Sequence, residues 1–187
     1  MLLLPLAPEP FTAPTDRDML PSERREFVLT HRTCVFGHRR KHDGPGMSVV
    51  YYIPTDSDEL LVSTMAGRGK ARVIARDGKV SLCVLDERWP FVYLQVYADA
   101  VIDRDRDLAV DVMMAVAGRM SGQPLGPEAR PYIEQRCAEE DRVVLRCRPY
   151  GTFASPPRHL HSNDQLEELT HWVSGTVAWH AEDPARA

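Results

Sequence analysis

The sequence predicts a mainly β fold with helices: a six-stranded antiparallel barrel with flanking helical segments. Three observations predict it. Short runs rich in β-branched and aromatic residues recur between Thr33 and Ile102, each closed by a Gly-, Pro- or Asp-rich turn. That is hairpin order, not the spacing of βαβ units. Phe91–Ile102 alternates, with Phe91, Tyr93, Gln95 and Tyr97 on one face and Val92, Leu94, Val96 and Ala98 on the other. A barrel wall with one side in the core requires that pattern. Helical spacing is confined to the start, to a short basic segment at Lys70–Arg76, to one insertion before the last strand, and to the end.

Residues 1–20 hold Pro5, Pro8, Pro10 and Pro14 and read as an extended N-terminal arm, either disordered or laid across a partner subunit. Pro21-Ser22 opens a short helix, with Ser22 as its cap and Glu23 in the first turn, ending near Leu29–His31. Thr33–His38 is the first strand. A basic run, His38–His42, leads into the turn Asp43-Gly44-Pro45-Gly46, and Met47–Ile53 returns as the second strand. Glu59–Thr64 is the third strand, Met65–Gly69 a turn, and Lys70–Arg76 a basic helical segment. Lys79–Asp86 and Phe91–Ile102 are strands four and five, linked by Trp89-Pro90.

Asp105–Met120 is helical, with Leu108, Val112, Met113 and Val116 recurring at helical spacing. Glu128–Glu139 is a second helix, and Arg142–Arg148 the last strand, extending to Phe153 after a kink at Pro149. The barrel domain spans 21–155. Pro156-Pro157 closes it, and 156–187 holds a C-terminal helix with Leu166, Leu169, Trp172 and Val173 on one face, capped by Ser162 or Asn163, and a frayed tail.

The 187 residues suffice for one core-bearing domain, and a net charge of −4 draws the molecule to neither nucleic acid nor a membrane surface. No apolar run approaches a membrane span, and Met1–Leu6 lacks the features of a signal peptide. Cys34, Cys83, Cys137 and Cys147 show no CxxC or zinc-like spacing and read as free thiols in a reducing cytoplasm. The histidines lack the spacing of a metal site, and no catalytic dyad is legible.

The stretch that carries chemistry is Ser63–Lys70. Ser63 and Thr64 offer hydroxyls, Gly67 and Gly69 allow close backbone approach, Arg68 binds two oxygens at once, and Lys70 adds a point charge. The helix start behind them adds its dipole. Such a set suits a phosphate. On spacing alone, a solvated turn with surface cations accounts for it equally well.

The order VSTMAGRGKARVIARDGKVSLCV, then PFVYLQVYADA, resembles the pyridoxamine-phosphate-oxidase-like family of split β-barrel proteins, the flavin and deazaflavin reductases. The similarity runs from about Leu20 to about Phe153. It includes the Asp43–Pro45 turn, the Ser-Thr…Arg-x-Lys turn and the Arg-x-Arg-Pro ending at Pro149. Two departures stand out: Ala98 replaces a frequent Gly, and Gly37-His38 ends the first strand where the family has a small or hydroxyl residue.

The resemblance implies an FMN-binding type of split barrel, a homodimer with cofactor at its interface. Phosphate would sit on Ser63, Thr64, Arg68 and Lys70. Strand backbone at Met47, Val49 and Val50 would lie along the ring, and Gln95 would reach it from the partner subunit. It also implies hydride transfer between FMN or coenzyme F-420, an 8-hydroxy-5-deazaflavin, and a small organic substrate. Such chemistry belongs largely to the cofactor. The oligoglutamate tail of F-420 favours extra cations, which Arg72, Arg76 and Lys79, with Arg39, Arg40 and Lys41, would supply; the reading leans to the deazaflavin. A non-catalytic carrier of cofactor and a haem-binding relative are the alternatives.

Overall fold

The computed structural model describes residues 1–5, 9–14, 17–88, 91–154 and 175–185. Helix α1 (Pro21–Thr30) opens the barrel. Its cap is not Ser22. Pro21 occupies the first helical position, where a fixed φ and a missing N–H cost nothing, so the helix begins two residues earlier than a Ser22 cap would set it. Glu23 caps it by accepting from the Leu20 N–H at 2.8 Å, while Ser22 donates from its N–H and Oγ to Asp183 at 2.9 and 2.6 Å.

The strands are β1 (Thr33–His38), β2 (Gly46–Tyr51), β3 (Ile53–Pro54), β4 (Leu60–Met65), β5 (Lys79–Asp86), β6 (Val92–Asp103), β7 (Arg142–Ala154) and β8 (Thr176–Ala178). They form one antiparallel sheet in the order β2-β1-β5-β6-β7-β4-β3, with β8 on β7. Helix α2 (Gly69–Ile74) follows β4; α3 (Arg106–Ser121) and α4 (Arg130–Glu139) fill the insertion between β6 and β7. Asp105 caps α3 by accepting from the N–H groups of Asp107 and Leu108, and Gly122 ends it at φ 78°, where a side chain would be strained.

The sheet has eight strands, not the expected six, for two reasons. Met47–Ile53 is not one strand. Tyr52 is fully buried with its hydroxyl donating to Val28 O at 2.5 Å, and the chain bends there. Its first part pairs with β1 and its last residues with β4. The second addition, β8, lies beyond residue 155, where the sequence reading ends the barrel. It pairs Gly151–Phe153 and delivers Trp179, only 2% exposed, into the main core. The C-terminal segment therefore contributes to the barrel. The predicted helix with Leu166, Leu169, Trp172 and Val173 falls outside the described residues, as does Trp89-Pro90.

Inside the barrel, alternate residues of each strand meet: Cys34 and Phe36, Leu60 and Val62, Leu82 and Val84, Leu94 and Val96, Leu145 and Cys147. Phe27 and Val28 of α1 close one end. The opposite face of β4 and β7 receives α3, with Ala109, Val112 and Val116 against Leu61 and Val144. The arm lies on its own barrel where it is described. Leu3 bridges to Thr55, Leu4 N–H donates to Pro54 O at 2.8 Å, and Ala13 and Met19 enter the core. Among the described residues no helix is long and apolar enough to cross a membrane.

Because Trp179 is buried just after a three-residue strand, replacing it removes a large core volume that little else can refill. Trp179→Ala is expected to lower stability by roughly 3–5 kcal/mol in urea unfolding. A loss under about 1 kcal/mol, within the range of a surface change, would show that the closing segment is not part of the cooperative core.

Candidate cofactor site

The turn after β4 is pinned at both ends. Arg68 N–H donates to Met65 O at 3.0 Å, and Ala66 N–H donates to Asp141 O at 2.8 Å, just before β7. Gly67 and Gly69 have no positive φ, and a Cβ on either would meet nothing within 4 Å. Glycine is not conformationally required there; what it leaves is open backbone.

The predicted cradle residues divide between two faces of β4. Thr64 follows Leu60 and Val62 toward the barrel interior, is buried, and its hydroxyl has no side-chain partner among the described residues. Ser63 faces the α3 side with Leu61, and its Oγ accepts from Arg142 Nη1 at 3.3 Å. Lys70, on α2, crosses to the other end of the sheet. Its Nζ donates to Ser48 Oγ on β2 at 2.8 Å and lies 5.8 Å from the centre of the Phe36 ring. Thr64, Arg68 and Lys70 therefore gather at the gap between β4 and the free edge of β2, a strand that among those described pairs only with β1.

Arg130, Arg136, Arg142, Arg146 and Arg148 are all tied to carboxylates. Among the described residues Arg68, Lys70, Arg72 and Arg76 form no salt bridge; Arg68 Nε contacts only Met65 Sδ, at 3.5 Å, and Arg76 reaches the carbonyl of Arg39. Burial and then repulsion from Arg68 hold the Lys70 ammonium below its usual pKa. Two cations converge with no acid between them, a donor set that fits an anion. Lys79, in contrast, pairs with Asp99 at 2.5 Å and stacks over Tyr150, and Arg39 and Arg40 face Asp77 and Asp43.

A cleft of about 670 Å³ lies on the outer face of the β2-β1-β5-β6 half. Met47, Val35, Cys83, Gln95, Tyr97 and Tyr150 line it. Gln95, on the outer face of β6, belongs to this cleft and not to the Lys70 gap, so one chain does not bring them together. Met47 is 65% and Val49 74% exposed, whereas Val50 turns inward onto the core. The thiols are free; burial pushes Cys147 up to about 12 and raises Cys83, which makes neither a nucleophile.

Sequence reasoning missed Ser48, Phe36 and His38. Phe36 and Ser48 are directly opposed in the β1–β2 register, and His38 pairs with Gly46, where an added Cβ would run into the imidazole. Counting outward from the Asp43–Pro45 turn could have placed all three on one face. His38 Nδ1 is buried without a partner among the described residues.

The family model described as pyridoxamine 5'-phosphate oxidase matches residues 20–151, more than half of the chain. This chain belongs to the pyridoxamine 5'-phosphate oxidase family. No curated protein matches it. Among solved structures, the conserved hypothetical protein Rv2991 from Mycobacterium tuberculosis is 24% identical, with a TM-score of 0.65 over 81% of this chain and 96% of its own. A haem-binding protein from Mycobacterium smegmatis is 14% identical, with a TM-score of 0.57 over 87% of this chain and 59% of that one. An F420 reductase is 20% identical, with a TM-score of 0.50 over 65% and 88%. At these identities the likenesses show the shared fold of the pyridoxamine 5'-phosphate oxidase family: a curled antiparallel sheet with flanking helices.

In this family member the His38 imidazole is held below its ordinary 6.5, by burial first and then by the charges of Lys70 and Arg40. His31 is lowered too, chiefly by burial. For both, the unfolded chain binds protons first as pH falls through 6.5. Their contribution to stability is complete above that pH and is lost as pH drops through the folded values. Histidine NMR titrations should place His38 below 6.5. Lys70→Met should raise it partway, since burial remains; an unmoved His38 would show that the two side chains do not interact.

Proposed function

We propose that this chain is a homodimeric, cytoplasmic oxidoreductase that holds F-420 or FMN and serves hydride transfer between that cofactor and a small organic substrate. The observation that carries the reading is the convergence of Lys70 and Arg68, without an acid partner among the described residues, at the free edge of β2. When bound, the flavin-type ring supplies the hydride chemistry. The chain supplies placement. Lys70 and Arg68 hold phosphate, the Thr64 hydroxyl orients it, and Ser63 braces the turn through Arg142. Backbone of Met47, Val49 and Val50 flanks the ring. Gln95 lines a cleft away from Lys70, as it must if it serves the site of a partner subunit.

Exposed Met47 and Val49 beside that cleft suit burial against a second copy. Arg72 and Arg76, without carboxylate partners among the described residues, favour the polyanionic tail of F-420, which supports the deazaflavin over FMN. Four free thiols suit a reducing cytoplasm.

The deciding measurement is a fluorescence titration with both cofactors side by side. A dissociation constant below ~100 μM, near −5.5 kcal/mol, is expected for at least one. Lys70→Ala and Arg68→Ala should each weaken it by about 1.5–3 kcal/mol, the range of a charge-assisted hydrogen bond. Unchanged affinity in both variants would remove the cradle. Tight binding with no turnover across a substrate panel would favour a carrier. In sedimentation the protein should run as a dimer, and Met47→Lys with Val49→Lys should shift it to monomer; a monomeric parent would sink the shared site.

A second reading, haem binding, is favoured by one observation: His38 lines the cleft with Nδ1 unpartnered among the described residues. A haem titration would show a ligated Soret band that His38→Ala abolishes if that reading holds.

A further inference from the structure

A second cavity, of about 460 Å³, shares no lining residue with the cleft beside β2. It lies between the N-terminal arm and the last turns of α3. Its walls are Leu3, Leu4, Pro5, Met114, Ala115 and Leu125, and its charged group is Arg119. The volume falls within the roughly 300–1,000 Å³ typical of small-molecule sites.

Arg119 is 3% exposed. It donates from Nη1 to His31 O at 3.3 Å and from Nη2 to Leu4 O at 3.2 Å, and no carboxylate meets it among the described residues. Both acceptors are neutral carbonyls. They tie the arm and the end of α1 to α3, but they do not neutralise a guanidinium, which remains charged in proteins. Tyr52, the ionisable group nearest in effect, stays neutral because burial raises its phenol well above the usual range. The C-terminal end of α3 offers partial negative charge. Gly118 O there already accepts from the N–H groups of Gly122 and Gln123 and from Ser121 Oγ. A buried cation is costly unless it is paired. Here it faces a cavity whose remaining walls are mostly apolar.

We propose that this cavity is a binding site for a monocarboxylate with an apolar body, distinct from the cofactor site. The carboxylate supplies the counter-charge that Arg119 lacks, and the hydrocarbon part lies along Leu3, Leu4, Met114 and Leu125. The apolar walls select against a strongly hydrated dianion such as phosphate. Because Leu3 and Leu4 belong to the arm, an occupied site also fastens the arm to the barrel.

The test is calorimetric titration of the full chain with decanoate, held below its micellar range, and with decanol as the uncharged match. Wild type should bind one decanoate per chain, and decanol roughly tenfold more weakly or worse. Arg119→Met should lose roughly tenfold or more of the decanoate affinity. Ala115→Phe, which fills the cavity without touching the charge, should abolish binding, and Lys70→Ala should leave it unchanged. Absence of saturable decanoate binding up to ~1 mM would overturn the proposal. So would equal binding of decanol, full affinity in Arg119→Met or Ala115→Phe, or loss of binding in Lys70→Ala. If Arg119→Met does not fold, Ala115→Phe and the decanol comparison decide. Loss in both upholds the site, and retention in either refutes it.

Discussion

The pairing of β6 with β7 is the constraint on which the rest of the molecule depends. These are the two longest strands, and they run together from Leu94 opposite Ala154 to Asp103 opposite Val144. Each half of the sheet hangs from one of them. A register shift divides the pairing, with Tyr97 opposite Gly151 and Ala98 opposite Pro149, so Tyr150 is the extra residue. That bulge explains why a proline is tolerated within a central strand. Pro149 lies at the irregularity, between the stretch of β7 that pairs with β4 and the stretch that pairs with β8. The added twist helps curl the sheet so that its two ends approach each other.

That approach makes the candidate cofactor site. β2 and β4 stand near opposite ends of the strand order, yet Lys70, six residues beyond Thr64, reaches Ser48. Among the described strands none pairs with the outer edge of β2, and cations gather at this gap. Several arginines elsewhere are neutralised. Glu59, itself buried, takes both Arg146 and Arg148, and Arg24, also buried, faces Asp18 and three backbone carbonyls. Arg119, left without an acid among the described residues, lines a cavity. A net charge of −4 conceals this, because solvation and pairing are local.

Much of the fold was legible because strand alternation is a local property. The bounds of β1 and β5 follow from the sequence directly, and the inward residues of β6 are the ones its alternation names. The bend at Tyr52 was not legible, since a run of apolar residues reads as one strand whether or not it changes partner. Nor was β8, whose three residues are too few to show a period. At the site, Arg68 and Lys70 could be named from composition and spacing. Ser63 and Thr64 looked like a pair, but adjacent strand residues face opposite ways, and the structure sends Ser63 to Arg142.

The sequence by itself determined the family, the antiparallel order, the core-facing residues and the cluster of cations after β4, because these depend on neighbours within a few residues. Only the tertiary structure decided which cations lack a counter-charge, that Lys70 crosses to Ser48, that Gln95 lies in a separate cleft, and that Arg119 is buried against an apolar cavity. Those facts depend on register and on sheet curvature, which sum small local twists over many residues and bring together groups far apart in the chain.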